Sequence, residues 1–540
     1  MSKQKLKIVS IFLWLVAIIF VTFCQSCSSS KITKGPFLLR VEQQRAALMW
    51  ETNQTGQGQI SYAKANNTKK GYKTLKTTPE QIEYKAEQTQ GKTIEKQTFV
   101  HKVWLEDLQP GQTYTYFVSG ADVKTKTYKF HTQDNDDNEV TFAVYGDTRT
   151  YADRHRKIAE KIMNENVDFV VHTGDLIANG NQYEQWKPQF FDPLKGLAES
   201  VPVYAVKGNH DTGSNGFFEK FLVPPGENAN YSFDFGPVHY FCADQYIEPH
   251  QKVKLPKSFP TKAETYVLNL ICADMSRKRR TWNFVSWHEP ALNFGGHWSM
   301  WGYPDAVPIM TMTGMDFVLT GHSHQYERFR PIIMRTKKPS GFTTHITTGG
   351  GGAPLYNVQP TYYHMAAKKI HHFCLFHIKS DTLTFKAIDI DGNVIDHFEV
   401  SKTGGRPDKQ YQQTAVPLES VRLHQDVHSA FAAPMDIKPK KNEQFNLVYK
   451  LAVPPFSGPV KLNSKLRCNQ GSYKMPEEQE LILPKAGGYF EIKFAVTPLV
   501  DVKVASGTLE PPLWIDCHYR VGEIEQSLTQ RVRVETKAEH

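Results

Sequence analysis

The sequence predicts a multidomain α+β protein in which a central α/β layered domain is flanked by two β-sandwich domains. The length is the first observation, because 540 residues are too many for one hydrophobic core. The second is that both ends of the chain carry short runs of alternating apolar and polar residues, which is typical of half-buried strands. The third is that continuous apolar runs alternate with helical segments in the middle, as expected for strands buried on both faces.

The first β-sandwich is predicted over residues 35–133. Residues 46–50, 98–103 and 113–118 have the alternation of half-buried strands, and turn residues separate them. Trp50, which lies in the first of these runs, is then expected in the core. The acidic, polar stretch 134–138 is predicted to be a linker.

The central α/β domain is predicted over residues 139–400. Its buried strands include residues 141–145, 169–172 and 203–206. The clearest helix covers residues 154–166, where Ile158 and Ile162 lie four positions apart. Residues 391–393, Asp-Gly-Asn, predict a hairpin turn between two late strands.

A polar linker beyond Ser401 leads to a C-terminal β-sandwich, predicted over residues 414–540. Cys468 and Cys517 lie in this segment and could pair in an oxidising compartment. No cysteine stands in a CxxC pattern, which argues against a structural zinc site.

The N-terminus predicts export. Lys3, Lys5 and Lys7 precede an apolar run over residues 8–23, which is the arrangement of a secretory signal over residues 1–27. The run is shorter than the roughly 20 apolar residues that a membrane-spanning helix needs. Ser26-Cys27 followed by serines resembles the lipobox of bacterial lipoproteins. That resemblance implies lipidation of Cys27 and attachment to a bacterial membrane, in the periplasm or at the cell surface.

The net charge of +9 is spread over a long chain. The lysines between residues 64 and 102 are interpreted as a solvated loop region, although a basic surface could steer phosphate-bearing substrates. No basic stripe with interleaved aromatic residues is present, so nucleic acid is not a predicted partner.

Five short motifs carry the chemistry, and each of them follows an apolar run. They are Gly146-Asp147-Thr148-Arg149, Gly174-Asp175-Leu176, Gly208-Asn209-His210-Asp211, Trp287-His288-Glu289-Pro290 and Gly321-His322-Ser323-His324. In an open α/β sheet, residues just beyond the strand ends meet in one crevice. The motifs are therefore predicted to form one site.

The donor atoms of this site indicate metal binding. The candidate ligands are Asp147, Asp175, Asn209, His288, His322 and His324. Carboxylate, amide oxygen and imidazole suit borderline to hard divalent metals or ferric iron rather than a thiolate site. A single catalytic zinc typically takes three protein ligands, so six candidates favour two ions that share a bridging carboxylate.

The order of these motifs resembles the calcineurin-like metallophosphoesterase superfamily. Residues 321–328, Gly-His-Ser-His-Gln-Tyr-Glu-Arg, together with a fibronectin type III-like N-terminal domain, resemble the purple acid phosphatases more narrowly. The resemblance implies a four-layer α/β/β/α domain and two divalent or mixed-valence ions, with iron, zinc or manganese expected. By that resemblance Asp175 bridges the ions, and the other ligands divide between them. Asp147 and His324 hold the first ion, and Asn209, His288 and His322 hold the second.

The resemblance also implies catalytic roles. His210 would contact the phosphoryl group or protonate the leaving group, and His297 would face the substrate. Arg149 is expected to bind phosphate, because its guanidinium fork matches phosphate oxygens.

Two positions depart from the family patterns. Ala178 stands where purple acid phosphatases have a tyrosine ligand, and Arg149 stands where many other superfamily members have a histidine. The first ion therefore lacks one protein ligand. Water could fill that position, or His155 could reach it, although a helix-surface histidine is the favoured interpretation of His155.

The expected function is hydrolysis of phosphate monoesters, with small phosphorylated molecules as substrates. The nucleophile would be a hydroxide held between two ions about 3.5–4 Å apart. Two alternatives stay open. One is a phosphodiesterase or nucleotidase on the same scaffold. The other is a catalytically inactive surface protein that binds a phosphorylated ligand, an alternative that the residues at 149 and 178 keep open.

Overall fold

The computed structural model describes most of the chain beyond the predicted signal. The described residues are 31–87, 93–120, 123–134, 138–247, 263–297, 299, 301–302, 305–334, 341–453, 460–469, 471–484, 487–521 and 524–535. The predicted secretory signal and Cys27 lie outside them. Within these ranges, no helix has both the length and the apolar character to cross a membrane.

The N-terminal region consists of two antiparallel sheets that share one core. The first sheet contains, in spatial order, strands Ile32–Val41, Ala46–Thr52, Thr93–Leu105 and Glu80–Glu87. The second contains Lys73–Thr77, Gly58–Lys64, Thr113–Gly120 and Val123–Lys124, and Tyr128–His131 also pairs with Thr113–Gly120. A short 3₁₀ helix, Ala65–Lys70, follows Gly58–Lys64. Trp50 and Tyr116 are fully buried between the sheets, so the prediction of a β-sandwich here is confirmed.

The central region contains two seven-stranded sheets. The first is ordered Val203–Ala205, Phe169–His172, Glu139–Tyr145, His372–Lys379, Thr382–Asp389, Val394–Thr403 and Arg406–Pro407. The second is ordered Tyr231–Phe235, Val238–Cys242, Trp282–Ser286, Phe317–Thr320, Thr344–Thr348, Tyr326–Phe329 and His364–Lys368. The first three strands of the first sheet are parallel, and four consecutive strands of the second are parallel. Residues 391–393 form the predicted turn, with Gly392 at φ 98°.

These two sheets pack face to face through an aromatic core that includes Phe142, Phe284 and Phe376. Helices cover the outer face of the first sheet; they are Ala152–Met163, Tyr183–Trp186 with the π-helical turn Lys187–Phe191, and Phe217–Leu222. The outer face of the second sheet is covered by Ala263–Arg277 and Ala306–Thr313. The four-layer α/β/β/α arrangement is therefore confirmed.

The C-terminal region again has two antiparallel sheets around one core. One contains Phe445–Val453, Gly488–Pro498 and Tyr473–Lys474, and the other contains Gln479–Leu483, Val460–Cys468, Leu513–Val521 and Ile524–Arg531. A small ribbon joins Lys503–Ala505 to Thr508–Glu510. Cys468 and Cys517 are both free thiols. Cys517 is paired in register with Ser464 rather than lying opposite Cys468, so the considered disulfide does not form.

Helix Leu418–Ala432 differs from the all-β prediction for residues 414–540. Val421 packs on the central region, whereas Leu423, Val427 and Phe431 pack on the C-terminal core. Because the helix is buried on most of its sides, its sequence lacks the contrast between apolar and polar faces that would have revealed it. The linker before it contains the short helix Lys409–Gln413 and the strand Val416–Pro417. That strand pairs with Ile332–Ile333 of the central region.

Candidate metal centre

The candidate ligands follow strands of both central sheets at one edge of the domain. Asp147 and Asp175 come after the parallel strands Glu139–Tyr145 and Phe169–His172. His288 and His322 come after the parallel strands Trp282–Ser286 and Phe317–Thr320 of the other sheet. The crevice expected at the carboxyl ends of the strands is therefore present.

The turns that carry these ligands have an unusual backbone. Asp147, Asp175 and His322 all lie in the left-handed region, with φ of 59°, 57° and 66°. Such conformations are uncommon for residues other than glycine and cluster at functional sites. The neighbouring glycines allow close approach, since a Cβ on Gly208 would lie 2.2 Å from Asp175 N and one on Gly321 would lie 2.4 Å from Asp147 Oδ2.

Four side chains converge as the second ligand set, defined here as Asp175, Asn209, His288 and His322. Asn209 Oδ1 lies 3.0 Å from His288 Nε2 and 3.1 Å from His322 Nδ1. His288 Nε2 is also 3.3 Å from Asp175 Oδ1. The other ring nitrogen of His288, Nδ1, lies 2.8 Å from the backbone carbonyl of Thr173. A donor bond to that carbonyl fixes the ring and leaves Nε2 as the ligand atom.

Three side chains form the first ligand set, defined here as Asp147, Asp175 and His324. His324 Nε2 lies 3.4 Å from Asp147 Oδ1. That carboxylate oxygen is buried and accepts no hydrogen bond from any described residue. Asp147, Asp175 and His288 each place a ligand atom within 4.8 Å of the others. A buried carboxylate oxygen without a donor, next to a second carboxylate and imidazoles, fits a cation.

The carboxylates and imidazoles of the crevice shift each other's pKa values. Burial raises the pKa of Asp175, but the charge of His288 and its hydrogen bond outweigh burial and hold that pKa well below its ordinary value. Burial lowers the pKa of His288, but Asp175 and Asp147 raise it to about 10. The ligand carboxylates thus favour positive charge at the centre.

Arg149 lies inside the first ligand set. Its Nε is 3.2 Å from Asp175 Oδ2, and one terminal nitrogen is 3.3 Å from His324 Nε2. Only 17% of its side chain is exposed. The guanidinium therefore faces the metal centre rather than the solvent.

His210 lies at the mouth of the same crevice. Its backbone N–H donates to Asp175 Oδ1 at 2.9 Å. Its ring Nδ1 is 2.7 Å from the carbonyl of Ala178, and Nε2 lies 3.9 Å from Asp175 Oδ2. A donor bond to Ala178 turns Nε2 towards the centre as the nitrogen that can exchange a proton.

His297 is exposed beside the centre. Its ring centroid lies 4.4 Å from that of His322 and 5.7 Å from that of Tyr356. Tyr356 also stacks on His324, with centroids 4.5 Å apart. No motif pointed to Tyr356, because it lies in a loop 32 residues beyond the histidine on which it stacks.

His155 does not reach the centre. Its ring contacts the hydroxyl of Tyr145 and the carbonyl of Gln189, each at 3.0 Å. The favoured interpretation of a helix-surface histidine is also wrong, since His155 is fully buried between its helix and the sheet. Burial lowers its pKa to about 4, so it is a neutral packing residue.

Asp211 is a positioning residue that the sequence did not single out. One of its oxygens accepts the backbone N–H of Asp175 and of Gly208, both at 2.8 Å. The other accepts the N–H of Leu176 at 2.9 Å. It therefore ties two ligand-bearing turns together, and its place as the fourth residue of Gly-Asn-His-Asp was the signal for that role.

The glycine-rich turn over residues 349–352 lies close to the ligand-bearing loops. A Cβ on Gly349 would lie 2.4 Å from the carbonyl oxygen of Ser323, and one on Gly351 would lie 2.2 Å from that of Gly146. Both contacts bring the turn against the ligand-bearing loops.

Comparison with known families agrees with this geometry. Residues 140–326 match the family described as "Calcineurin-like phosphoesterase", and residues 38–132 match "Purple acid Phosphatase, N-terminal domain". The chain contains a calcineurin-like metallophosphoesterase domain and a purple acid phosphatase N-terminal domain. The recognition made from the motif order is therefore confirmed.

Proteins similar to this chain include plant and animal proteins. The chain is 24% identical over 376 residues to "Probable inactive purple acid phosphatase 1" of Arabidopsis thaliana, which covers 56% of this chain and 58% of that protein. It is 25% identical over 298 residues to "Acid phosphatase type 7" of Mus musculus, which covers 48% of this chain and 66% of that protein. The chain thus spans less than two thirds of the length of either relative.

The fold is shared with a solved purple acid phosphatase from yellow lupin (Lupinus luteus) seeds. The TM-score is 0.56 at 18% identity, and the match covers 68% of this chain and 74% of that one.

Proposed function

We propose that the chain is a phosphatase that hydrolyses phosphate monoesters at a centre for two metal ions. The observation that carries this proposal is the convergence of two aspartates, one asparagine and three histidines at one edge of the metallophosphoesterase domain. The name acid phosphatase, which one relative carries, supports the same class of reaction and a small phosphorylated substrate.

The two ligand sets define where the ions would bind. The second set supplies four donors, and the first set supplies three, with Asp175 common to both. Bound iron, zinc or manganese would lower the pKa of water and neutralise charge on the phosphoryl oxygens. A carboxylate shared between the sets accounts for the deep burial of Asp175, which is 1% exposed.

Side chains outside the ligand sets would act on the substrate. His210 presents Nε2 at the mouth of the crevice, where it could give a proton to the departing alcohol oxygen. Arg149 contacts His324, a member of the first ligand set. The exposed His297 packs against His322, a member of the second. From there both could bind the non-bridging phosphoryl oxygens as charge develops.

A paired hydrolysis assay tests the proposal. Chelator-treated protein is reconstituted separately with manganese, zinc, magnesium or iron and assayed on p-nitrophenyl phosphate and bis(p-nitrophenyl) phosphate. Metal-dependent hydrolysis that favours the monoester supports the proposal, and Asp175→Ala should lose turnover and metal together. Asp192→Ala is the matched control, because the carboxylate of Asp192 pairs only with the exposed Lys187 and Lys195 among the described residues.

Other outcomes identify the alternatives. Preference for the diester would favour a phosphodiesterase or nucleotidase. Binding of phosphate compounds without turnover of either substrate would favour an inactive binding protein. Full activity in Asp175→Ala would contradict the assignment of the metal centre.

The proposal includes export and a lipid anchor on Cys27, which are supported by the basic, apolar and serine-rich segments of the N-terminus. Acyl chains stabilise membrane attachment by about 0.8 kcal/mol per buried methylene. Expression in a bacterium supplied with a labelled fatty acid tests this. The full chain should carry label and partition into detergent, and Cys27→Ala should do neither.

A further inference from the structure

We propose that Arg149 competes with a metal ion for the first ligand set, so that the centre binds one ion tightly and the other weakly. This inference rests on the proposed function and concerns the relative affinity of its two metal positions.

The guanidinium contacts the atoms that a first ion would need. It lies 3.2 Å from Asp175 Oδ2 and 3.3 Å from His324 Nε2. The other ring nitrogen of His324, Nδ1, is 2.7 Å from the carbonyl of Pro354. Since a carbonyl only accepts, Nδ1 carries the proton and Nε2 offers its lone pair.

That lone pair cannot serve two partners at once. Arginine has donors only and stays positively charged, so its contact with Nε2 uses the electron pair that would otherwise bind a metal. The same holds for Asp175 Oδ2, which accepts from Arg149 Nε. A dication that enters the first set must displace the guanidinium or meet its like charge at close range.

The second ligand set carries no such competitor. Asp175 contributes its other oxygen there, Oδ1, together with Asn209, His288 and His322. Among the described residues, no ion pair or hydrogen bond joins a lysine or arginine to Asn209, His288 or His322. This set therefore has four donors, and its asparagine and two histidines are free of the guanidinium that contacts the first set.

The first set has fewer donors for a clear reason. Neither Ala178 nor Arg149 can ligate a metal, and these are the positions where related patterns have tyrosine or histidine. His155 does not replace the missing ligand, because both of its ring nitrogens face Tyr145 and Gln189. The missing ligand and the guanidinium of Arg149 both lower the affinity of the first ligand set for a metal ion.

Metal titration of the full-length protein tests the inference without measuring turnover. Chelator-treated wild type is titrated with Mn²⁺ by calorimetry and by equilibrium dialysis. We expect one tight ion per chain and a second that binds at least about tenfold more weakly, a difference in the range that groups next to metal ligands produce.

Two substitutions separate the competitor from the missing ligand. Arg149→Ala removes the cation and should tighten the weak position on the order of tenfold or more, with the tight position within about threefold of wild type. Arg149→His also adds a donor and should tighten the weak position further. Arg154→Ala is the matched control, because Arg154 contacts His371 at 2.9 Å and neither ligand set, so both affinities should stay unchanged.

Three results would overturn the inference. Two ions of equal affinity in the wild type would overturn the inference and leave the proposed function intact. Unchanged weak affinity in both folded Arg149 variants would overturn it too. Wild type that binds no ion would overturn the proposed function together with the inference.

Discussion

The carboxylate of Asp211 provides a sharp test of how the ligand-bearing turns are held. Its Oδ2 accepts the N–H groups of Asp175 and Gly208, and its Oδ1 accepts those of Leu176 and Ile177. Burial and the charge of Asp175 raise the pKa of Asp211 to about 8. The geometry nevertheless requires the ionised form, because each oxygen already faces two donors and leaves no room for a proton.

Asp211→Asn keeps the shape but replaces one oxygen by an NH₂ group. Two backbone N–H groups then face a donor and lose their acceptor. At about 1.5–3 kcal/mol for each hydrogen bond to a charged group, the loss in the free energy of unfolding should be about 3–6 kcal/mol. The amides of residues 173–178 and 206–212 should also exchange faster with deuterium.

Urea unfolding and hydrogen-exchange mass spectrometry measure both effects. Asp192→Asn is the control, because its ion pairs are solvent-accessible and are worth less than about 1 kcal/mol. The reasoning is refuted if Asp211→Asn unfolds within about 1 kcal/mol of wild type and leaves those amides equally protected.

Two further predictions concern close packing and pH. Gly349→Ala should lower the stability by about 1–3 kcal/mol and weaken metal binding, because its Cβ would lie 2.4 Å from the carbonyl of Ser323; an unchanged melting temperature and metal content would contradict this. Burial lowers the pKa of His239, but hydrogen bonds to Asp234 and Asp274 at 2.6 and 2.7 Å raise it above the ordinary 6.5. The stabilisation from the charged ring is therefore complete below about pH 6.5 and is lost as the pH rises through the raised pKa. The melting temperature of wild type should fall more between pH 6 and 9 than that of His239→Gln, and parallel curves would speak against it.

The layered fold could be predicted because its signals are local. Residues 141–145 and 169–172 are continuous apolar runs, and in the structure they are adjacent parallel strands buried on both faces. Helix Leu418–Ala432 could not be predicted, since it is buried between the central and C-terminal cores and its polar residues, such as His424, point inward.

The candidate site likewise has residues that the sequence predicts and contacts that it does not. Its ligands follow strand ends, so the motif order alone predicted which side chains meet. The positions of Arg149 and Tyr356 depend on contacts between loops that are distant in sequence. His155 shows the same limit, because its burial is set by the sheet under its helix rather than by the helix pattern.

The most direct test of the metal centre is anomalous X-ray scattering from crystals of the full-length protein grown with Mn²⁺. The account predicts a strong anomalous peak among Asp175, Asn209, His288 and His322. A second, weaker peak is expected beside Asp147 and His324. Metal-dependent hydrolysis by a protein whose crystals show no peak among those four ligands would contradict the account.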